Sequence, residues 1–206
     1  MSLATLTTVI STMLQKLSEL FSAQRAPAGY RPGVTLEYLR RNLGLAGFAS
    51  TGPAKAVLFL EDIGLQVDIG ERTESQLLMH LVMTEFMIKV PASEEGHARF
   101  DLHHSGAIRR TGLTCRQRNG EPALLARLQT GLKADQALYQ SLMLLDFKRL
   151  QIDLSGHEWH VRLEHMGGSE VVNRMPAFRR YIALSGEQRE GLLSVLTGFQ
   201  RVFSSF

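Results

Sequence analysis

Three short segments near the carboxyl end of the chain decide the fold: residues 148–154 (KRLQIDL), 159–165 (WHVRLEH) and 178–184 (FRRYIAL). In the first two, apolar side chains alternate with polar ones, which is the pattern of a strand with one face on a core. The short connection at residues 155–158 predicts a hairpin between them. We therefore predict three β-strands, followed by a helix that a capping box begins at Ser185.

A fainter copy of this order of elements is predicted upstream, from residue 84 to residue 132. Residues 84–90 and 98–104 alternate in the same way, and the pair Arg109-Arg110 corresponds to Arg179-Arg180, which lies 70 positions later. Extra residues at 166–175 distinguish the second copy. The pattern predicts a duplication, and a chance likeness between two similar units is the alternative.

The predicted fold class is α+β, with a mainly antiparallel sheet built from two similar strand-strand-strand-helix units. The duplicated α+β domain is predicted at residues 71–206, with one unit at 76–132 and the other at 134–206. Residues 1–70 are predicted to form an N-terminal helical region packed on this core.

The N-terminal region begins with a predicted amphipathic helix at residues 2–24, in which leucines recur at spacings of three and four. We predict that this helix packs on the domain or joins two copies of the chain. A membrane-surface helix is the alternative, and it is disfavoured because Lys16 is the only basic residue on the polar face. Further helices are predicted at residues 36–43 and 53–62, so that DNA recognition through residues 35–64 is an alternative function. The second of these helices is apolar and ends with acidic residues, which disfavours the reading of DNA bases. A strand at residues 57–60 is the competing interpretation.

Composition narrows the class of protein. The chain has 206 residues and a formal net charge of +3, far from the charge of a dedicated nucleic-acid-binding protein. The single cysteine, Cys115, excludes an internal disulfide. No apolar run reaches the roughly 18–20 residues that cross a bilayer, so no transmembrane segment is expected. We predict a cytoplasmic protein.

Histidines suggest one kind of site. His104 and His165 close the predicted second strands of the two copies, each just before a glycine. Such a pair is a weak candidate for catalysis or metal binding, because a neutral imidazole serves as a general base or as a ligand. The alternative is a pair of structural histidines bonded to the backbone. No metal-binding motif accompanies them, so the sequence predicts no metal and no cofactor.

Arginines and glycines suggest another kind of site. Guanidinium groups match carboxylates and phosphates, and a glycine-rich connection on a rigid sheet is a common rim for a binding site. The candidate ligand-binding residues are Arg110, Arg174, Arg180, Gly167 and Gly168. Cross-strand ion pairs are the alternative role of the arginines.

Taken together, these patterns predict a binding or interaction module without enzymatic activity. Its open sheet face would hold an acidic partner or a small anionic ligand, and the N-terminal helix would form a homodimer. An enzyme or metal-binding protein that uses His104 and His165 is the first alternative. A DNA-binding regulator is the second, although nucleic acid is not the expected partner.

Overall fold

A computed structural model describes residues 30–75, 79–106, 109–174 and 177–206, and of Arg174 and Ala177 it describes the backbone alone. The helices are α1 (Val34–Leu43), α2 (Pro122–Ala134), α3 (Gln136–Leu144) and α4 (Gly186–Phe203), with a 3-10 turn at Glu61–Ile63. The strands are β1 (Phe48–Gly52), β2 (Lys55–Leu60), β3 (Leu65–Ser75), β4 (Met79–Ser105), β5 (Gly112–Asn119), β6 (Phe147–Arg174) and β7 (Ala177–Ile182).

All of these strands belong to one curled antiparallel sheet in the order β1-β2-β3-β4-β6-β7, and β5 pairs with the later half of β4. The centre of the sheet is the long pair β4 and β6. Their pairing extends from Met79 opposite Asn173 to Leu102 opposite Leu150. A mixed α+β architecture with an antiparallel sheet, as predicted from the sequence, is confirmed.

The predicted hairpins are wrong, because each one is a single long strand. Residues 148–154 and 159–165 both lie in β6, and residues 84–90 and 98–104 both lie in β4. The buried positions of β6 change phase between Leu154 and Trp159, in the segment that is predicted to be the hairpin loop. The cause is an irregularity in the pairing of β4 with β6. Pro91 lies opposite Glu158 and Gly96 opposite Gly156, so β4 has three extra residues there, and this odd number shifts which side chains of β6 face the core.

The structure does not show the predicted duplication. Arg109 and Arg110 precede β5, whereas Arg179 and Arg180 lie within β7, so the two arginine pairs are not equivalent. Most of the predicted insertion at residues 166–175 is strand as well, because β6 continues to Arg174. The division of the chain at residue 70 stays a prediction, and β3 runs across that boundary.

The N-terminal part of the described chain is helical only in α1. This helix ends at Leu43, as predicted, and Gly44 follows it in the left-handed conformation with a φ of 66°. The predicted helix at residues 53–62 is wrong: β2 occupies most of it and buries Ala56 and Leu58 on alternate positions. A helix-turn-helix is therefore not formed by residues 35–64. The predicted helix at residues 2–24 and its role in a homodimer lie outside the described residues.

The core lies between the helices and one face of the sheet. Phe86 and Phe100 of β4 are fully buried there, and the Trp159 ring of β6 stacks on Phe203 of α4 with ring centroids 4.5 Å apart. The predicted capping box of α4 is confirmed, with Ser185 accepting from the Gln188 N–H. Aromatic pairs of this kind stabilise the core beyond the apolar area that they bury, and leucine, valine and isoleucine side chains form most of the rest of it.

The other face of the sheet is polar and bent into a groove, because β6 curls back on itself. The N–H of Met166, well inside β6, donates at 3.3 Å to the carbonyl of Asp146, which directly precedes the strand. Further along, Arg162 contacts Asp153 of the same strand at 2.5 Å. The curl therefore brings side chains from distant parts of one strand onto a common surface.

Candidate functional site

The candidate site is a groove of about 490 Å³ on the polar face of β4, β5 and β6, which we call the basic groove. Four basic side chains and one carboxylate line it together with neutral groups; its residues are Arg99, Asp101, His103, Arg118, Lys148, Arg149, Leu150 and Gln151. An adjoining cavity of about 420 Å³ shares Arg99 and adds His160 and Arg162. The surface is therefore both concave and rich in cations.

Strand alternation places these groups. Arg99, Asp101 and His103 occupy alternate positions of β4, and Phe100 and Leu102 between them are fully buried in the core. Successive side chains of a strand point to opposite faces, so the burial of the two apolar residues directs the three polar ones to the groove. The partner strand β6 adds polar groups opposite them, since Asp101 pairs in register with Gln151.

Ion pairs hold the basic side chains in place. Arg118 contacts Asp101 at 2.5 Å, Arg149 contacts Glu164 at 3.3 Å, and Lys148 is paired with Glu74. These basic side chains are between one third and one half exposed. Exposed pairs contribute little to stability, and each guanidinium has five N–H donors. Donors of the groove therefore remain accessible to a ligand while their positions are restrained.

Asp153 has a particular role at the junction of the two cavities. Partial burial acts to raise the pKa of its carboxyl, but hydrogen bonds from Arg99 and Gln151 outweigh burial and lower the pKa. Arg99 donates to it at 2.7 Å. The carboxylate is thus kept ionised and fixes the guanidinium that both cavities share.

His104 binds the last turn of α3, and His165 binds the connection between α3 and β6. The Nε2 of His104 lies 2.8 Å from the carbonyl of Leu142, and its ring centroid is 4.2 Å from that of Phe147. His165 is fully buried; its Nε2 accepts from the N–H of Asp146 at 3.2 Å, so its Nδ1 carries the proton that faces the carbonyl of Gly167 at 3.0 Å. Nitrogens of both rings are therefore engaged by backbone groups. The described residues contain no group of three or more side chains that could hold a metal ion.

Burial of His165 makes stability depend on pH. Desolvation lowers the pKa of His165, whereas the unfolded value is about 6.5. As the pH falls below that value, the unfolded chain takes up a proton that the folded chain does not, so the free energy of unfolding decreases toward acid. We expect denaturation in urea between about pH 7 and about pH 5 to show this decrease, and His165→Gln to reduce its slope. An unchanged slope in the variant would contradict the assignment.

Arg110 caps a helix. Its Nη1 donates to the carbonyls of Met143 at 3.1 Å and Leu145 at 3.0 Å, and its Nη2 contacts Asp146 at 2.6 Å. The last carbonyls of a helix lack partners within the helix, and a guanidinium is well suited to satisfy them. Arg110 is therefore committed to the end of α3 and does not line the basic groove.

The other predicted ligand-binding residues lie elsewhere. Arg180 is exposed on β7, and only the backbone of Arg174 is described. Gly167 and Gly168 are packed inside the protein, where a Cβ on Gly168 would lie 3.0 Å from Leu39. Arg110, Arg180 and the two glycines therefore have different surroundings, and a ligand-binding role for the five predicted residues stays a prediction. The groove residues could have been found from the alternation of residues 99–103, but their neighbours on β5 and β6 depend on the pairing of strands.

The fold and the groove define the class: an α+β protein with a curled antiparallel sheet and a basic groove on its polar face. The chain belongs to the family described as protein of unknown function (DUF3156), whose model matches residues 41–203. No curated protein matches the chain. None of the described helices combines the length and the apolar character needed to cross a membrane.

Among solved structures, the chain is similar to the mycobacterial trehalose monomycolate transport factor A, TtfA. The two are 9% identical, the match covers 84% of this chain and 95% of that chain, and the TM-score is 0.39. A likeness at this level carries no argument about function, so the groove itself has to support any proposal.

Proposed function

We propose that this protein is a binding protein for a small anionic ligand, which it holds in the basic groove without chemical conversion. The observation that carries the proposal is the convergence of Arg99, Arg118, Lys148 and Arg149 from three strands on one concavity. Its volume of about 490 Å³ lies within the range of roughly 300–1,000 Å³ that small-molecule sites occupy.

Recognition would rest on charge-assisted hydrogen bonds. The guanidinium groups of Arg118 and Arg149 each present parallel N–H donors that match the oxygens of a carboxylate or phosphate. Lys148 adds a point charge to the lining. Because ion pairs already restrain these side chains, a ligand loses less free energy in ordering them.

The carboxylate of Asp101 gives the groove selectivity as well as charge. It lies among the basic side chains and is paired with Arg118. A ligand with only anionic groups meets repulsion there, whereas a hydroxyl or amide N–H of the ligand can donate to it. We therefore expect a preference for hydroxylated anions over simple ones.

Other functions are supported less well by these contacts. An acidic protein partner would use the same charges, but a concave groove fits a small ligand more closely than it fits a flat surface. The backbone partners of His104 and His165 do not favour an enzyme. Cytoplasmic location and a homodimer through residues 2–24 remain proposals from the sequence.

Calorimetry with citrate and pyrophosphate tests the proposal. We expect the double variant Lys148→Ala/Arg149→Ala to bind at least about tenfold more weakly, since each charged hydrogen bond contributes roughly 1.5–3 kcal/mol. Binding should also weaken as salt is added. The matched control is Arg40→Ala/Arg41→Ala, which removes two neighbouring arginines paired with Glu37 on α1, outside the groove, and should keep the wild-type affinity.

Three further outcomes distinguish the alternatives. Equal affinities of the groove variant and its control, at equal melting temperatures, would overturn the groove as the site. Binding of polyglutamate without binding of citrate or pyrophosphate would replace the small ligand by an acidic protein. Loss of binding in Arg180→Ala alone would instead support the residues that we predicted from the sequence.

A further inference from the structure

The cavity that adjoins the basic groove extends it past one shared side chain, Arg99. Arg162 and His160 line the adjoining cavity but not the groove, whereas Arg149 lines the groove but not the adjoining cavity. The volume of the adjoining cavity, about 420 Å³, lies within the range of roughly 300–1,000 Å³ that small-molecule sites occupy. A ligand that is longer than the groove therefore has a second space to enter beside Arg99.

Asp153 forms the first of two groups in which one carboxylate serves two arginines. Arg99 donates to this carboxylate at 2.7 Å, and Arg162 contacts it at 2.5 Å. The side chain of Asp153 is 13% exposed, and both arginine side chains are more exposed than that. One carboxylate offsets only one of two positive charges, so this Asp153 group carries a net positive charge, and the part of it that meets solvent is mainly cationic.

Glu164 forms the second group in the same way. Arg149 contacts its carboxylate at 3.3 Å, and Arg72 of β3 is the other partner. The side chain of Glu164 is 4% exposed, whereas the two arginine side chains are nearly half exposed. This Glu164 group therefore also carries a net positive charge on its accessible side.

The two groups are separate centres of charge. Arg149 of the Glu164 group lies four positions before Asp153 in β6, so the backbones of these two residues are at most about 13 Å apart. Between them in β6 lies Gln151, which lines the groove and pairs in register with Asp101 of β4. The carboxylate of Asp101 repels an anionic group that lies beside it, whereas an uncharged donor can bind it.

We propose that the ligand of the basic groove is an elongated molecule with one anionic group at each end and uncharged polar groups between them. The inference rests on the proposed function, because it specifies the ligand of the same site. One anionic group binds Arg149 of the Glu164 group, and the other binds Arg162 of the Asp153 group in the adjoining cavity. A molecule whose anionic groups are adjacent reaches only one of the two centres.

Calorimetry on the full chain with three phosphate compounds tests this inference. Fructose 1,6-bisphosphate has phosphates at opposite ends of a hydroxylated ring, fructose 6-phosphate lacks one of them, and pyrophosphate has two phosphates side by side. We expect the bisphosphate to bind at least about tenfold more tightly than either of the others, because its second phosphate binds at a high effective concentration once the first is bound. Pyrophosphate is the control for charge, since it is also a multiply charged anion.

Arg162→Gln distinguishes two centres from a general attraction of charge. The substitution leaves Arg99 as a partner of Asp153, so the fold should be retained. We expect it to weaken binding of the bisphosphate by at least about tenfold and to remove the advantage of this compound over fructose 6-phosphate. The matched control is Arg41→Gln, which also removes one of two arginines that share a carboxylate, that of Glu37 on α1, and should leave the affinity unchanged.

Equal affinities of the wild-type chain for the bisphosphate and pyrophosphate would overturn the inference, as would equal effects of Arg162→Gln and Arg41→Gln on binding of the bisphosphate. Either result leaves binding of citrate and pyrophosphate in the groove intact, so the proposed function would stand. If the wild-type chain binds none of these anions, both are overturned. The comparison of ligands needs no variant, so it decides the question even where Arg162→Gln lowers stability.

Discussion

Arg179→Ala should lower the free energy of unfolding by roughly 3 kcal/mol, whereas Arg180→Ala should change it by less than about 0.5 kcal/mol. The two arginines are neighbours on β7, and their side chains point to opposite faces of the sheet. Arg179 binds both carboxylate oxygens of Glu170, at 2.8 and 2.9 Å, whereas Arg180 is exposed. A chemical denaturation curve for each variant measures the difference.

The expected cost comes from the carboxylate that Arg179→Ala leaves behind. Glu170 is 3% exposed, and among the described residues the side chain that would still bind its carboxylate is the hydroxyl of Thr35, at 3.2 Å. Removing one member of a buried ion pair leaves the other charge without compensation, which costs more than the pair itself contributes. The hydrogen bond to Glu170 also raises the pKa of Arg179, so the guanidinium stays charged at neutral pH.

A double variant checks this explanation. In Arg179→Ala/Glu170→Leu the buried charge is absent, so we expect the double variant to be more stable than Arg179→Ala alone. Similar losses in Arg179→Ala and Arg180→Ala would contradict the assignment of Glu170 as the cause. The comparison needs no ligand and is independent of the proposed function.

Gly168→Ala is expected to cost roughly 3 kcal/mol, and Gly156→Ala about 1 kcal/mol. Both glycines lie in β6 with positive φ, 86° at Gly168 and 62° at Gly156, so an added Cβ introduces backbone strain at both positions. Only at Gly168 does it also meet other atoms. The new Cβ would lie 3.0 Å from Leu39 Cδ1 and 3.1 Å from Thr84 Oγ1, whereas nothing lies within 4 Å at Gly156.

The difference between the two variants therefore measures how closely α1 packs on β6. Thermal unfolding of both variants measures this difference in stability, since the strain of the positive φ is common to them. Equal losses of stability would show that Leu39 moves away without cost. The result also decides between the two interpretations of Gly167-Gly168, because a mobile binding loop would accept alanine far more easily than a packed strand.

Local signals predicted part of this fold correctly. The C-terminal helix follows from Ser185 and Gln188, which satisfy each other's backbone donors within one turn. The end of α1 follows from Gly44, because glycine adopts the left-handed conformation without strain. Alternation of apolar residues likewise identified the buried faces of β4 and β6. Each of these signals depends on residues that are close in the sequence.

The start of α1 shows where local signals fail. Thr35 resembles a helix cap, yet its hydroxyl binds Glu170, 135 positions away. The helix is capped instead by Glu71 of β3, which accepts from the N–H groups of Gly33 at 3.0 Å and Leu36 at 3.1 Å. No spacing rule identifies a carboxylate on a different strand as the partner of these groups.

The candidate site likewise depends on contacts between residues that are far apart in the sequence. The sequence alone establishes an α+β chain, its buried strand faces, the capped helix α4, and polar side chains at residues 99–103 and 149–153. Only the tertiary structure decides that the apparent hairpins are two long strands, that β6 curls so that Arg149 reaches Glu164, and that Arg118 joins them in one groove. The physical reason is that alternation specifies which face of a strand is buried, whereas the register and curl of paired strands depend on contacts between residues far apart in the chain.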